Sequence, residues 1–264
     1  MIWALLALAG LVVGTIGTLV GAGGGFLLVP LLLLLYPHER PETIASISLA
    51  VVFLNALSGT VAYAKMKRVD YKSGLLLSAA TVPGAILGAV TTAFIARRTF
   101  DLLFAGFLIA GAVLVLWRPH ARAVIGTGPF HRVVTEADGT VHEFSYNPWV
   151  AAGLSLVVGY VSSLLGIGGG IIHVPVLTAL LSFPVHVATA TSHFALAVMA
   201  GTGTLTHILQ GSFTTGVRRT LALGVGVLIG AQVGARLSSR IHGTWILRAL
   251  ALALVSVAVR LILS

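Results

Sequence analysis

The longest stretch of this chain without an Asp, Glu, Lys or Arg runs from Phe144 to Val217, 74 residues. A helix crossing the hydrocarbon core of a bilayer takes roughly 20 residues, so this stretch alone must hold about three membrane segments. Further charge-free runs cover Met1–His38, Thr43–Ala64 and Ser73–Ala96. Charged residues make up 9% of the chain and the AVILMFWYC set 57%, with a mean hydropathy of +1.03. An ordinary soluble domain carries about 25% charged residues, so the polar surface of a globular protein cannot be assembled here. A soluble enzyme, a nucleic-acid-binding module and a disordered tail are excluded, and an all-α polytopic membrane protein remains. The net charge of +9 then marks cytoplasmic loops, with anionic lipid headgroups as nearest partners. With no cysteine there is no disulfide or thiolate chemistry, and no cofactor or metal is expected.

Loop charges and turn residues divide the chain into ten apolar segments, approximately 3–20, 24–36, 43–64, 73–96, 101–117, 149–166, 169–182, 187–209, 218–239 and 245–263. The N-terminus lacks a basic n-region, so a cleavable signal peptide is not expected. The second and seventh segments are short, reach only about 20 Å as helices, and carry Pro30 and Pro175 as candidate hinges. If all ten cross, the two halves of the chain are inverted; if the short pair is re-entrant, eight cross and the halves are parallel. Both schemes place Lys65, Lys67, Arg68 and Lys72 in the cytoplasm. The one sizeable polar segment, 118–147, holds Asp138-Gly139 between β-prone runs 130–136 and 140–146, which predicts a small hairpin. His120, His131 and His142 within it read as solvated loop histidines.

The chain also repeats itself. Gly21–Pro30 (GAGGGFLLVP) matches Gly166–Pro175 (GIGGGIIHVP), Ile47-Ser48-Leu49 aligns with Thr191-Ser192-His193, SGT at 58–60 with TGT at 202–204, and GAILGA at 84–89 with GAQVGA at 230–235. Four blocks in one order at nearly one offset point to duplication of a five-segment unit. The expected organisation is a first membrane repeat over 1–117, a polar linker over 118–147 and a second repeat over 148–264. Repeats of this kind suggest a transporter with its site at the repeat interface.

In the glycine blocks, Gly21, Gly23, Gly24 and Gly25, with Gly166, Gly168, Gly169 and Gly170, each precede a short helix. Glycine admits positive φ, and a helix starting after such a turn points free N–H groups and its positive dipole end at an anion. Close helix packing is the competing use of the same residues. A nucleotide loop is excluded because no Gly-Lys-Ser/Thr follows. No acidic residue falls inside a confident span, which fits an anionic substrate and leaves histidine as the titratable candidate. His173, His193 and His207 are candidates for proton coupling, the first two also for substrate contact, and their first-half counterparts are Leu28, Leu49 and Tyr63. Ser48, Asn55, Thr191, Ser192, Gln210 and Gln232 offer hydrogen bonds to an oxyanion or between helices. Arg97-Arg98, Arg218-Arg219 and Arg248 read as snorkelling rim residues.

On its paired glycine-proline blocks, Ala190-Thr191-Ser192 and the Gly-Ala-x-x-Gly-Ala pairs, the chain resembles the TauE/SafE sulfite-exporter family of bacterial membrane transporters. The resemblance implies export of small sulfur-containing anions, sulfite or organosulfonates, across the bacterial cytoplasmic (inner) membrane. The reading is therefore a multi-pass secondary transporter working by alternating access, half against half, with proton coupling through the histidines. The alternative is a passive anion channel. The missing HExxH and Gly-x-Ser-x-Gly patterns speak against an enzyme. Expected partners are a small anion and membrane lipid; a homodimer is allowed, and nucleic acid is not expected.

Overall fold

The computed structural model describes residues 2–116, 128–213, 216–238 and 259. Within them the chain forms α1 (Ile2–Val20), α2 (Gly25–Leu35), α3 (Pro41–Lys65), α4 (Tyr71–Thr92), α5 (Arg97–Leu116), β1 (Phe130–Thr135), β2 (Val141–Tyr146), α6 (Pro148–Leu165), α7 (Gly170–Ala179), α8 (Val185–Leu209) and α9 (Val217–Leu237). Nine of the ten expected segments are these helices; the tenth, 245–263, lies outside the described residues except for Val259, as do His120 and Arg248. Helices α1, α3, α4, α6 and α9 are each long and apolar enough to cross a membrane. Helix α8 is equally long at 25 residues but buries Thr191, Ser192, His193 and His207.

Local chemistry sets the boundaries. Pro41 and Pro148 occupy first helical positions, where a missing N–H costs nothing. The Asn147 carboxamide caps α6 by accepting the Trp149 N–H at 3.0 Å. The expected hairpin is present, pairing antiparallel from Phe130↔Tyr146 to Thr135↔Val141. Asp138 accepts the Thr140 N–H at 2.9 Å, and Gly139 takes φ 89° to close the turn.

Two seams of small residues hold the longest helix contacts. In α9, a Cβ on Gly226, Gly230 or Gly234 would collide with the carbonyl oxygens of Ala7, Leu11 and Thr15 in α1. In α4, Gly84 and Gly88 meet Leu156 and Tyr160 of α6 in the same way. These are the aligned Gly-Ala-x-x-Gly-Ala blocks, and both serve backbone-to-backbone packing. Because residue numbers rise together across each seam, α1 runs parallel to α9, and α4 to α6. Helices α3 and α8 cross the centre in opposite directions, with Gly59 against His193, Gly201 against Phe53 and Gly203 against Leu49.

The short helices do not continue across. Helix α1 runs beside α3 to the level of Tyr63, whose hydroxyl donates to the Thr18 carbonyl at 2.8 Å. The chain then turns back at Gly21–Gly24, inside the protein, and α2 returns to the end where α1 began. Likewise α6 and α7 turn at Gly166–Gly169, with Gly169 packed on Ser162 and Val158. Two re-entrant pairs thus enter from opposite ends. Helix α1 accompanies α9 through its last turns, and α6 accompanies α4 to its end, where the Thr92 hydroxyl donates to the Leu164 carbonyl at 2.9 Å. The described helices therefore alternate in direction in the sense of the ten-segment scheme, with the turns after α1 and α6 buried. The sequence halves are not separate bodies either, since each seam joins one helix from each half.

Candidate site at the meeting of two glycine turns

The two turns touch at the centre. A Cβ on Gly25 would lie closer than 3.0 Å to the carbonyls of Gly166 and Ile167, and one on Gly170 would collide with Gly21 and Ala22. Positive φ is needed as well, at Gly21, Gly23 and Gly24 (80°, 73° and 86°) and at Gly166, Gly168 and Gly169 (69°, 77° and 69°). Val52, halfway along α3, puts one side chain against both Gly23 and Gly168. Helices α2 and α7 begin here, so the positive ends of two helix dipoles meet, while the Leu27, Gly170 and Ile172 amides already donate to the carbonyls of Gly24, Gly168 and Gly169. Pro30 and Pro175 sit one turn further in, inside otherwise continuous helices.

Side chains from α3 secure these turns. Ser48 donates its hydroxyl to the Gly166 carbonyl at 2.5 Å. Asn55 donates to the Gly23 carbonyl at 3.1 Å and accepts from the Thr18 hydroxyl at 3.2 Å. Both are fully buried, and these bonds explain their polarity in an apolar helix.

The second-half candidates gather toward the end that carries the hairpin. The His173 ring lies between two hydroxyls, with Nε2 3.2 Å from Ser155 and Nδ1 3.5 Å from Ser192. Thr191 accepts the backbone N–H of Asp70 at 3.0 Å. His193 faces Gly59 and meets the Tyr63 ring edge-on at 5.4 Å. Neither of its ring nitrogens has a partner among the described residues, and the same holds for His207, near the far end of α8. Buried imidazole nitrogens without partners are unusual enough to need an explanation.

Several side chains take other roles. Gln232 donates to the Ser58 carbonyl and hydroxyl at 2.7 and 2.9 Å, tying α9 to α3. Arg97 and Arg219 are not snorkelling. Arg97 pairs with Asp101 at 2.9 Å and donates to the Glu39 carbonyl, while Arg219 pairs with the Glu39 carboxylate at 2.7 Å over the Tyr36 ring. His142 is held by Glu136 at 2.8 Å, and His131 by Ser145 at 3.0 Å. No metal-binding cluster occurs among the described residues.

Sequence reasoning missed the hairpin's attachment. Arg132 grips Asp70 with two nitrogens, at 2.6 and 2.9 Å, and Arg68 pairs with Glu136 at 2.5 Å. Ser73 donates to Asp70 and accepts from the Tyr146 hydroxyl. Burial pushes the Asp70 carboxyl up, but the bonds from Arg132 and Ser73 outweigh it and hold the group below its ordinary range. The only signal was complementary charge in two segments more than 60 residues apart.

The family profile described as sulfite exporter TauE/SafE matches residues 6–261. The probable membrane transporter protein YunE of Bacillus subtilis is 31% identical over 269 residues, covering 99% of this chain and 98% of its own. A probable membrane transporter protein of Methanocaldococcus jannaschii is 29% identical, over 71% of this chain and 66% of its own. A second Bacillus subtilis protein of that description, YdhB, is 26% identical over 89% and 90%. No solved structure matches. Since the profile takes in both glycine turns and all that lies between them, the chain belongs to the TauE/SafE sulfite-exporter family of membrane transporters.

Proposed function

We propose that this protein is a secondary transporter that exports a small sulfur-containing anion, sulfite or an organosulfonate, by alternating access. The observation that carries the reading is the contact of the two buried glycine turns, where two re-entrant helix pairs from opposite ends present the amino ends of α2 and α7 to one another. An anion held there meets converging N–H dipoles and no carboxylate among the described residues. The turns are closed on each other in this conformation, so loading requires them to part. The seams α1–α9 and α4–α6 are backbone-tight, which favours motion of the re-entrant pairs over motion of whole sequence halves. We take the two five-segment units as inverted duplicates on the same grounds, with the hairpin end in the cytoplasm and the protein in the bacterial cytoplasmic membrane.

His193 is the proton-coupling and substrate-contact candidate we place first, because its ring nitrogens have no hydrogen-bond partner among the described residues, while His173 is occupied by Ser155 and Ser192. The test is counterflow in proteoliposomes loaded with unlabelled sulfite, with labelled sulfite outside. Transient accumulation is expected with sulfite or organosulfonate inside and not with chloride. His193→Leu, which installs the side chain of the aligned position Leu49, is expected to leave a folded protein and lower counterflow at least tenfold. Uptake without any overshoot indicates a passive channel and overturns the carrier reading.

A further inference from the structure

The far ends of the two re-entrant pairs are each fastened, at opposite ends of the molecule, by a cluster that the central site does not use. At one end the chain leaving α2 is tied to α9 and α5: Tyr36 lies under Arg219 at 3.8 Å, the Glu39 carboxylate pairs with Arg219, and the Glu39 carbonyl accepts from Arg97 at 2.7 Å. At the other end the chain leaving α7 is covered by the hairpin. Phe183 packs against Phe144 and Tyr146, with ring centroids 4.3 and 5.0 Å away. The hairpin is itself locked to the α3–α4 loop through Arg132–Asp70, Arg68–Glu136 and the Ala137 N–H on the Met66 carbonyl. The Asp70 amide carries the connection on to Thr191, beside Ser192.

We propose that these two clusters are the opposed gates of the transporter, and that the β-hairpin is the strap of one of them. This rests on the alternating-access reading above. With both fastened, as here, the glycine turns are shut and the site is occluded. Releasing Arg132–Asp70 frees the α6–α7 pair and admits water from the hairpin end only. Releasing Glu39–Arg219 frees the α1–α2 pair and admits water from the other end only. Each cluster joins residues from both sides of the linker, Glu39 with Arg219 at one end and, through the hairpin, Asp70 with Phe183 at the other, so it can report the state of one half to the other.

The natural absence of cysteine makes the test direct. Two buried serines of α6 serve as reporters: Ser155, in the half nearer the hairpin, and Ser163, beside Leu49 and Gly203 in the other half. Each is replaced singly by cysteine, and reaction with a charged thiol reagent is timed in purified protein without substrate. Arg132→Ala is expected to speed labelling at Ser155→Cys by tenfold or more and leave Ser163→Cys unchanged. Glu39→Gln is expected to do the reverse. Arg132→Lys keeps the charge without the two-nitrogen grip and falls between, which covers the event that Arg132→Ala fails to fold. Both reporters accelerating together, or neither moving in either variant, overturns the proposal and leaves the clusters as ordinary loop fastenings. Because no sulfite is present, absent counterflow alongside one-sided labelling removes the substrate assignment and keeps the gates.

Discussion

Gly25 and Gly170 are tightly constrained, since each supports the other turn's backbone with no room for a methyl group. A side chain there meets carbonyl groups, which cannot swing aside as a flexible side chain does. Overpacking a core ordinarily costs about 1–3 kcal/mol, and backbone neighbours put these sites at or above the upper end. Gly25→Ala and Gly170→Ala are therefore expected to lose most of the monodisperse protein on size-exclusion chromatography after mild heating. Gly153→Ala, in α6 with nothing within 4 Å of the added methyl, is expected to match or exceed the parent. Equal melting of all three would show that the turns part without cost. The glycine blocks were legible in the sequence as a pair, but their mutual contact was not, because nothing in a local pattern says that residue 25 meets residue 167. Ser48 and Asn55 were legible as buried polar groups for the same reason that left their role open: a hydroxyl or amide in an apolar helix signals a partner without naming it. Ser155 gave no signal at all until His173 was placed beside it.

At the level of elements, the helices and the hairpin followed from charge-free runs and from Asp138-Gly139, both of which act locally. The hairpin's docking did not, because it depends on ion pairs 62 and 68 residues apart. That docking has a pH signature. The Asp70 carboxyl is held below its ordinary value of 3.8 by Arg132 and Ser73, against the upward push of burial. A depressed folded value means the stabilisation is complete above 3.8 and is lost as pH falls through the depressed value. Spin labels at Lys72→Cys and Val141→Cys, both on exposed positions, are expected to give a narrow distance distribution from neutral pH down to about 4 and to broaden only as pH falls further, through the depressed Asp70 value. Asp70→Asn is expected to broaden the distribution already at neutral pH and to weaken docking by about 3 kcal/mol, the low end for a broken buried pair because Arg132 stays partly solvated. A parent distribution that is already broad at neutral pH would show that the Arg132–Asp70 pair does not hold the hairpin.

On the scale of the whole molecule, the decisive property is direction, and hydropathy does not carry it. A buried glycine turn has the same composition as an exposed one, so hydropathy does not tell where the chain goes after α1 or α6. What decides it is the burial of Gly21–Gly24 and Gly166–Gly169, which places each return inside the protein. The start of α1 and the loop after α2 consequently share one end, and the hairpin lies at the other. An eight-crossing, parallel-half arrangement would put the N-terminus and residues 37–40 on opposite faces, whereas the ten-segment alternation puts them on one face. The cysteine-free chain again allows single-site labelling in intact cells and inverted vesicles. An N-terminal tag and His38→Cys are expected to be reached from the same face, Asp138→Cys only from the other, and Ala22→Cys from neither. Labelling of Ala22→Cys from the hairpin face at the rate of Asp138→Cys would mean that the Gly21–Gly24 turn lies open at that face. The opposed re-entrant pairs, and with them the geometry that brings two helix amino ends to one buried point, would then be lost.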